Sequence, residues 1–371
     1  MFQFQKYLLC FLVFFQTKNC MSQDLDETNL SKKILSYHLS VNTHFGAIWA
    51  HIPQVSYAAG TSVYGIELEL QKNREDLDVL NTTKQKFHSG YVLNYFHFDN
   101  KIFGNTSLNA AYFIEPYFIN RKKIKLGIRG AIGLNYSDNP YHAIDNPQNK
   151  SYSFYINSYL LFAFCSYVQL NKNDELQVRL NYAHISNGAI HDPNHGINFP
   201  TVSVGLTHKL KKQKEILIKH FPDENALWRF DATAFATVRT VSTLNQNYVW
   251  ISGIWFSASR KISKLNAIIF SADWTNDKST EALLKINNRA HLSHQRIGVG
   301  VGHEFIFKNF TFSQTIGMYA FSQTQYIDLI YHRWIINYKL NRKISVGIGL
   351  LANANFANFT DIRLTYNFYK K

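Results

Sequence analysis

Apolar and polar residues alternate with a period of two through nearly the whole chain, broken by turns rich in Asn, Asp and Lys. That period belongs to β-strands, whose successive side chains point to opposite faces, and it excludes a helical bundle. Eight segments carry it in the first half: 36–50, 61–72, 87–98, 105–118, 123–136, 152–170, 175–187 and 199–210. Eight more follow: 228–242, 247–260, 264–275, 294–307, 310–322, 327–340, 343–354 and 360–369. Short charged turns (120–123, 171–174, 341–343) are set against longer connections (137–151, 187–198) rich in Asn, Pro and His. Short turns at one end and long loops at the other are the habit of outer-membrane barrels.

The two faces of each strand differ in kind. In 175–187, Leu176, Val178, Leu180 and Tyr182 share one face, with Gln177, Arg179 and Asn181 opposite. In 152–170, Phe154, Ile156, Leu160, Phe162 and Phe164 lie opposite Tyr155, Asn157 and Tyr159. A polar row suits the filled interior of a small barrel, and an apolar row suits hydrocarbon. A soluble sandwich would turn the apolar rows inward, and alternation alone leaves that open. Composition favours the barrel: 17% of residues are charged against about 25% in ordinary globular chains. Aromatics are abundant, with 22 Tyr, 29 Phe and 6 Trp. No apolar run beyond the N-terminus approaches the ~18–20 residues of a spanning helix.

The expected fold is therefore all-β, an antiparallel transmembrane β-barrel, built either as two eight-stranded halves or as one barrel of roughly sixteen strands. The most charged stretch, 211–225, separates the halves and sets the expected organisation. Residues 23–212 form a first barrel region, 213–227 a linker and 228–371 a second barrel-like region. The outward row 178–187 also echoes 346–355 weakly, as an old duplication would, although strand periodicity alone generates such matches.

Residues 1–22 read as a secretory signal: Lys6 precedes the apolar run 7–15, and Cys20 and Ser22 are small residues before a cut ahead of Gln23. Export followed by barrel insertion places the protein in the outer membrane of a Gram-negative bacterium. Removal of the signal takes Cys10 and Cys20 and leaves Cys165 alone, so neither an intramolecular disulfide nor a cysteine zinc site is available.

The most specific segment is 182–200. His184 and Ser186 stand two apart on a strand and so share a face, within reach for an imidazole to take a hydroxyl proton. They continue the apolar face of Leu176 to Tyr182. In the next strand Asn198 shares a face with Pro200, Val202, Val204 and Leu206. Three polar groups converging on a lipid-facing surface usually have a task. A serine nucleophile needs a base, the base needs a group that fixes its tautomer, and the oxyanion needs donors. His184 and Asn198 suit the first two roles; the Asn187 amide and the N–H groups of Gly188 and Ala189 suit the last. An ordinary polar hairpin loop accounts for the same residues equally well.

His184-x-Ser186-Asn187, followed by Pro193-Asn194-x-Gly196 and a closing apolar strand, resembles the lipid A 3-O-deacylase family of outer-membrane barrels, also called acyloxyacyl hydrolases. The likeness covers roughly 30–212 and is distinctive over 182–206; longer relatives with an extra C-terminal half look similar to this chain. It implies an esterase of lipid A with Ser186 as nucleophile and His184 as general base. It further implies an oxyanion hole from Asn187 and a backbone amide near Ala189. The family's orienting acid is a glutamate, and the position that matches it is Asn198. Asparagine can accept from an imidazole N–H but cannot offset its positive charge, which implies weaker or altered catalysis. The alternative is a non-catalytic barrel, a porin or surface-binding protein, whose site has degenerated.

Other chemistry finds less support. His191-Asp192-x-x-His195 has metal-ligand spacing but reads as loop histidines, so no metal is expected, and no cofactor. Glu67, Glu69 and Glu115 lack the paired arrangement of glycosidases. Gly298-Val-Gly-Val-Gly302 alternates like a strand rather than cradling a phosphate. The net charge of +14 is spread over turns and strand ends, as fits lipopolysaccharide phosphates rather than nucleic acid. The expected partners are lipid A and outer-membrane lipids; nothing in the pattern speaks to oligomeric state.

Overall fold

The computed structural model of the chain describes residues 31–33, 35–74, 87–210, 216–218, 227–307, 309–324, 328–353 and 356–370. The signal segment 1–22 and most of the charged stretch between the halves lie outside them. The chain closes into two separate eight-stranded antiparallel barrels. The first comprises β2 (Leu35–Ala47), β3 (Ser62–Arg74), β4 (Phe87–Phe98), β5 (Ser107–Asn120), β6 (Ile124–Ser137), β7 (Ile156–Gln169), β8 (Asp174–Ser186) and β9 (Ile197–Lys209). It shuts where β9 returns to β2, Val41 opposite Leu206. The second comprises β11 (Trp228–Thr240), β12 (Tyr248–Lys261), β13 (Asn266–Asp277), β14 (Gln295–Phe307), β15 (Phe310–Phe321), β16 (Ile330–Lys339), β17 (Ile344–Asn353) and β18 (Phe356–Lys370), closed by β18 on β11. Two short strands, β1 (Ser31–Lys33) and β10 (Ile216–Ile218), pair with each other outside the barrels. All sixteen alternating sequence segments are barrel strands.

Closure at eight rather than sixteen follows from what the inward rows must do. An eight-stranded lumen is just wide enough for side chains to fill, and here they fill it with buried ions. Arg129 donates from Nε to Glu115 (2.7 Å) and from Nη1 to Glu69 (2.7 Å), while Arg179 pairs with Glu67 and Glu69. In the second barrel Arg333 lies between Asp273 (3.5 Å) and Asp361 (3.3 Å), and Arg229 meets Glu304 at 2.8 Å. All these carboxylates are buried, which is tolerable only because each is paired. Among the described residues, both lumens are occupied by these paired side chains. The outer faces carry exposed Leu, Val, Ile and aromatic side chains, as a lipid-facing wall requires.

An α-helix also lies outside the alternating pattern. The β13–β14 connection contains a helix, α1 (Lys278–Ile286), started by Asp277, whose carboxylate accepts from Ser279 N (2.9 Å) and Thr280 N (3.2 Å). On that helix Lys278 and Lys285 flank Glu281 and hold its carboxyl down at about 2.

The barrels stand side by side with their long loops at the same end. There the β8–β9 loop touches β11 and β18, and at the short-turn end the rings of Phe87 and Phe307 meet 5.8 Å apart. The weak echo between 178–187 and 346–355 aligns the seventh strand of one barrel, β8, with the seventh of the other, β17. Ala352 stands in the second barrel where His184 stands in the first.

Candidate active site

Strand β8 brings its outward row to the long-loop rim, where it ends in His184 and Ser186; the inward row is Gln177, Arg179, Asn181, Ala183 and Ile185. Antiparallel pairing sets His184 directly opposite Asn198 on β9. The two join by a hydrogen bond of 2.6 Å, Nδ1–H of the imidazole donating to Oδ1 of the amide. In the neutral ring that leaves Nε2 without a proton and able to accept one. Ser186 shares that face without a direct hydrogen bond to His184; such contacts commonly tighten only when substrate binds. Its strand position is held by Ser158 on β7, whose hydroxyl donates to the Ser186 carbonyl (2.6 Å).

A further residue completes the chain of polar groups. Nδ2 of Asn198 donates to Nδ1 of His51 at 2.8 Å, which turns Oδ1 towards His184. Burial lowers the His51 pKa below its ordinary value, against a raising hydrogen bond that the ring donates to the His195 backbone, so the ring is neutral and its other nitrogen is able to accept. Its loop is pinned by Trp49 N–H on the Asn198 carbonyl (2.8 Å), with the Trp49 ring edge-on to Tyr182. His51 lies 147 residues from Asn198, in a segment with no motif of its own, and no spacing in the sequence points to it.

Gly196 has φ of +70°, and a Cβ on it would sit 2.5 Å from Cε1 of His184. Glycine is required there twice over, for the left-handed backbone and for room beside the imidazole.

The loop after Ser186 is built by Asn187. Its Nδ2 donates to Ser153 Oγ (2.9 Å) and the His191 carbonyl (2.7 Å), its Oδ1 accepts from Ile190 N (3.2 Å), and its own N–H meets Asn194 Oδ1 (2.8 Å). The Asn187 amide is thus engaged within the loop rather than standing free. Gly188 and Ala189 both have positive φ, 68° and 62°, a costly conformation for alanine. The other loop groups disperse: the His191 ring bonds Ser153 Oγ (3.0 Å) and the Asp192 carboxylate faces Arg239 (3.4 Å).

Two closed barrels with apolar outer walls and filled interiors, one bearing a His–Asn pair beside a serine on its outer rim, define an outer-membrane β-barrel protein with a candidate hydrolase site. A family model described as lipid A 3-O-deacylase (PagL) matches residues 65–207, and one described as acyloxyacyl hydrolase, C-terminal domain, matches residues 228–371. The two matches together span most of the chain, which belongs to the lipid A 3-O-deacylase family in a form that carries the C-terminal domain. Among solved structures, the outer membrane enzyme PagL aligns at 18% identity over 45% of this chain and 97% of that one, with a TM-score of 0.34. A mutant of the Rh. blastica porin aligns at 11% identity over 90% of this chain and 100% of that one, with a TM-score of 0.22. No curated protein matches the chain.

Proposed function

We propose that the protein removes an ester-linked acyl chain from lipid A, at the 3-position, with Ser186 as nucleophile and His184 as general base. The observation that carries this reading is the His184–Asn198 hydrogen bond on the outer face beside Ser186, in a chain of this family. An acyl chain lying along the apolar wall of Leu180, Val202 and Phe162 brings its ester to the rim, where hydrocarbon gives way to water. Ser186 Oγ attacks the carbonyl carbon as its proton passes to Nε2 of His184. The oxyanion is met by N–H groups of Gly188 and Ala189, and by Asn187 once its amide hydrogen turns from Ser153. Collapse expels the sugar hydroxyl, which takes the proton back from His184. Water, deprotonated by the same imidazole, then releases the fatty acid and restores Ser186.

Asn198 acts as a hydrogen-bonding orienter rather than a counter-charge, and His51 fixes which way its amide points. On this reading residues 1–22 are a cleaved export signal, 23–212 carry the catalysis, and 213–227 link them to the barrel of 228–371. Mass spectrometry of lipid A from cells with and without the protein is the direct test. The expected result is loss of one acyl mass from a fraction of the lipid A; an unchanged spectrum favours a non-catalytic surface barrel.

His51→Ala is expected to lower kcat about tenfold at unchanged KM, because a lost orienting hydrogen bond of ~1–1.5 kcal/mol lets the Asn198 amide rotate. His51→Gln, whose side-chain oxygen can still accept, is expected to recover most of it. Equal loss in both variants would mean that His51 merely fills space.

A further inference from the structure

We propose that the second barrel is a brace for the turn that follows the nucleophile, with Thr240, Arg239 and Thr360 as its positioning residues. What the turn does rests on the esterase reading above; how it is held does not. Within 188–192 the second barrel engages four residues. The Gly188 carbonyl accepts from Thr360 N–H (3.0 Å), and the Ile190 carbonyl from Thr240 N–H (3.0 Å). The Asp192 N–H donates to Thr240 Oγ1 (2.9 Å), and the Asp192 carboxylate faces Arg239 at 3.4 Å. Arg239 is itself tied to the Asn358 carbonyl (2.8 Å), and the rings of His191 and Tyr248 lie 5.7 Å apart.

The first of these bonds matters most because of peptide planarity. The Gly188 C=O and the Ala189 N–H belong to one trans peptide unit and point in opposite directions. Holding that carbonyl against Thr360 therefore aims the Ala189 N–H away from the second barrel. Gly188 and Ala189 both occupy the left-handed region, and such a turn persists only where its surroundings over-determine it. Asn187 and Ser153 hold it from the first barrel; the second barrel holds it from the other side. The fit is close enough that a Cβ on Gly188 would come within 2.5 Å of Thr360 Oγ1. The second barrel has Ala352 in place of a histidine at the corresponding strand position, which is in keeping with a supporting role.

The test uses the full-length protein in detergent micelles. Thr240→Val removes the hydroxyl that Asp192 uses at nearly constant volume, and Arg239→Met removes the guanidinium. In the double variant, hydrogen exchange in peptides spanning 187–193 is expected to quicken tenfold or more, while exchange in β2 to β7 stays as in the wild type. Ser186-dependent fatty-acid release is expected to fall about tenfold in kcat with KM unchanged, and Thr240→Ser is expected to restore it. Unchanged exchange overturns the brace, and so does faster exchange with wild-type kcat. Should the double variant not fold, Arg239→Met alone, at the rim, carries the same comparison. If the wild-type protein shows no Ser186-dependent hydrolysis, the esterase reading fails, and the exchange measurement alone decides the brace.

Discussion

Replacing Ser186 with alanine is expected to abolish acyl release from purified lipopolysaccharide, a fall of roughly four orders of magnitude or more in kcat. His184→Ala should cost as much, and the double variant no more than either alone, because nucleophile and base act as one unit and their losses do not add. Both side chains face outward from the end of β8 and neither takes part in the ion pairs of the lumen, so the variants should keep the folded barrel. The measurement is fatty acid released per enzyme, alongside electrophoresis of heated and unheated samples to show that folding is intact. Wild-type turnover by folded Ser186→Ala protein would sink the assignment outright.

The second large effect concerns stability. Arg179 is buried against Glu67 and Glu69 and donates from Nε to Ser203 Oγ (3.2 Å). Arg179→Ala is expected to destabilise the first barrel by about 3–5 kcal/mol, because it leaves Glu67 buried without a full cationic partner. His44, 3.4 Å from Glu67, can compensate only if it takes a proton. Leu180→Ala, one residue along and facing outward, should cost far less, since lipid tails replace the side chain's apolar contacts. Urea midpoints of the two variants in micelles make the comparison. Equal midpoints would mean that the lumen network does not hold the barrel together.

How far the site was legible depends on which residue is considered. His184 and Ser186 could be placed on one face of their strand, and Asn198 on the apolar face of the next, because strand geometry is local: side chains two apart on a strand share a side whatever the rest of the chain does. Their facing outward was an inference from Leu176, Val178 and Leu180; the burial of β8 alternates accordingly as far as His184, whereas Ser186 and Asn198 are buried at the rim. The opposition of His184 and Asn198 depends on the β8–β9 register, which the alternation narrows but does not set. Asn187 was legible as a residue of the site but not as the hub of its loop, because its partner Ser153 lies on the far side of β7. His51 left no trace, since a single histidine in an irregular segment carries no period.

The alternation by itself determined that this chain forms sixteen antiparallel strands and which residues of each share a face, because a period of two is imposed by the backbone of every strand separately. Only the tertiary structure decided that the strands close into two barrels of eight. Either closure presents the same faces to lipid and lumen, and the difference lies in which strands pair at the seam and which distant charges meet inside. The contacts of Arg179 with Glu67 and Glu69, of Asn198 with His51, and of Thr240 and Thr360 with the turn beyond Ser186 all join residues far apart in the chain. Closure makes them neighbours, and no local pattern encodes them.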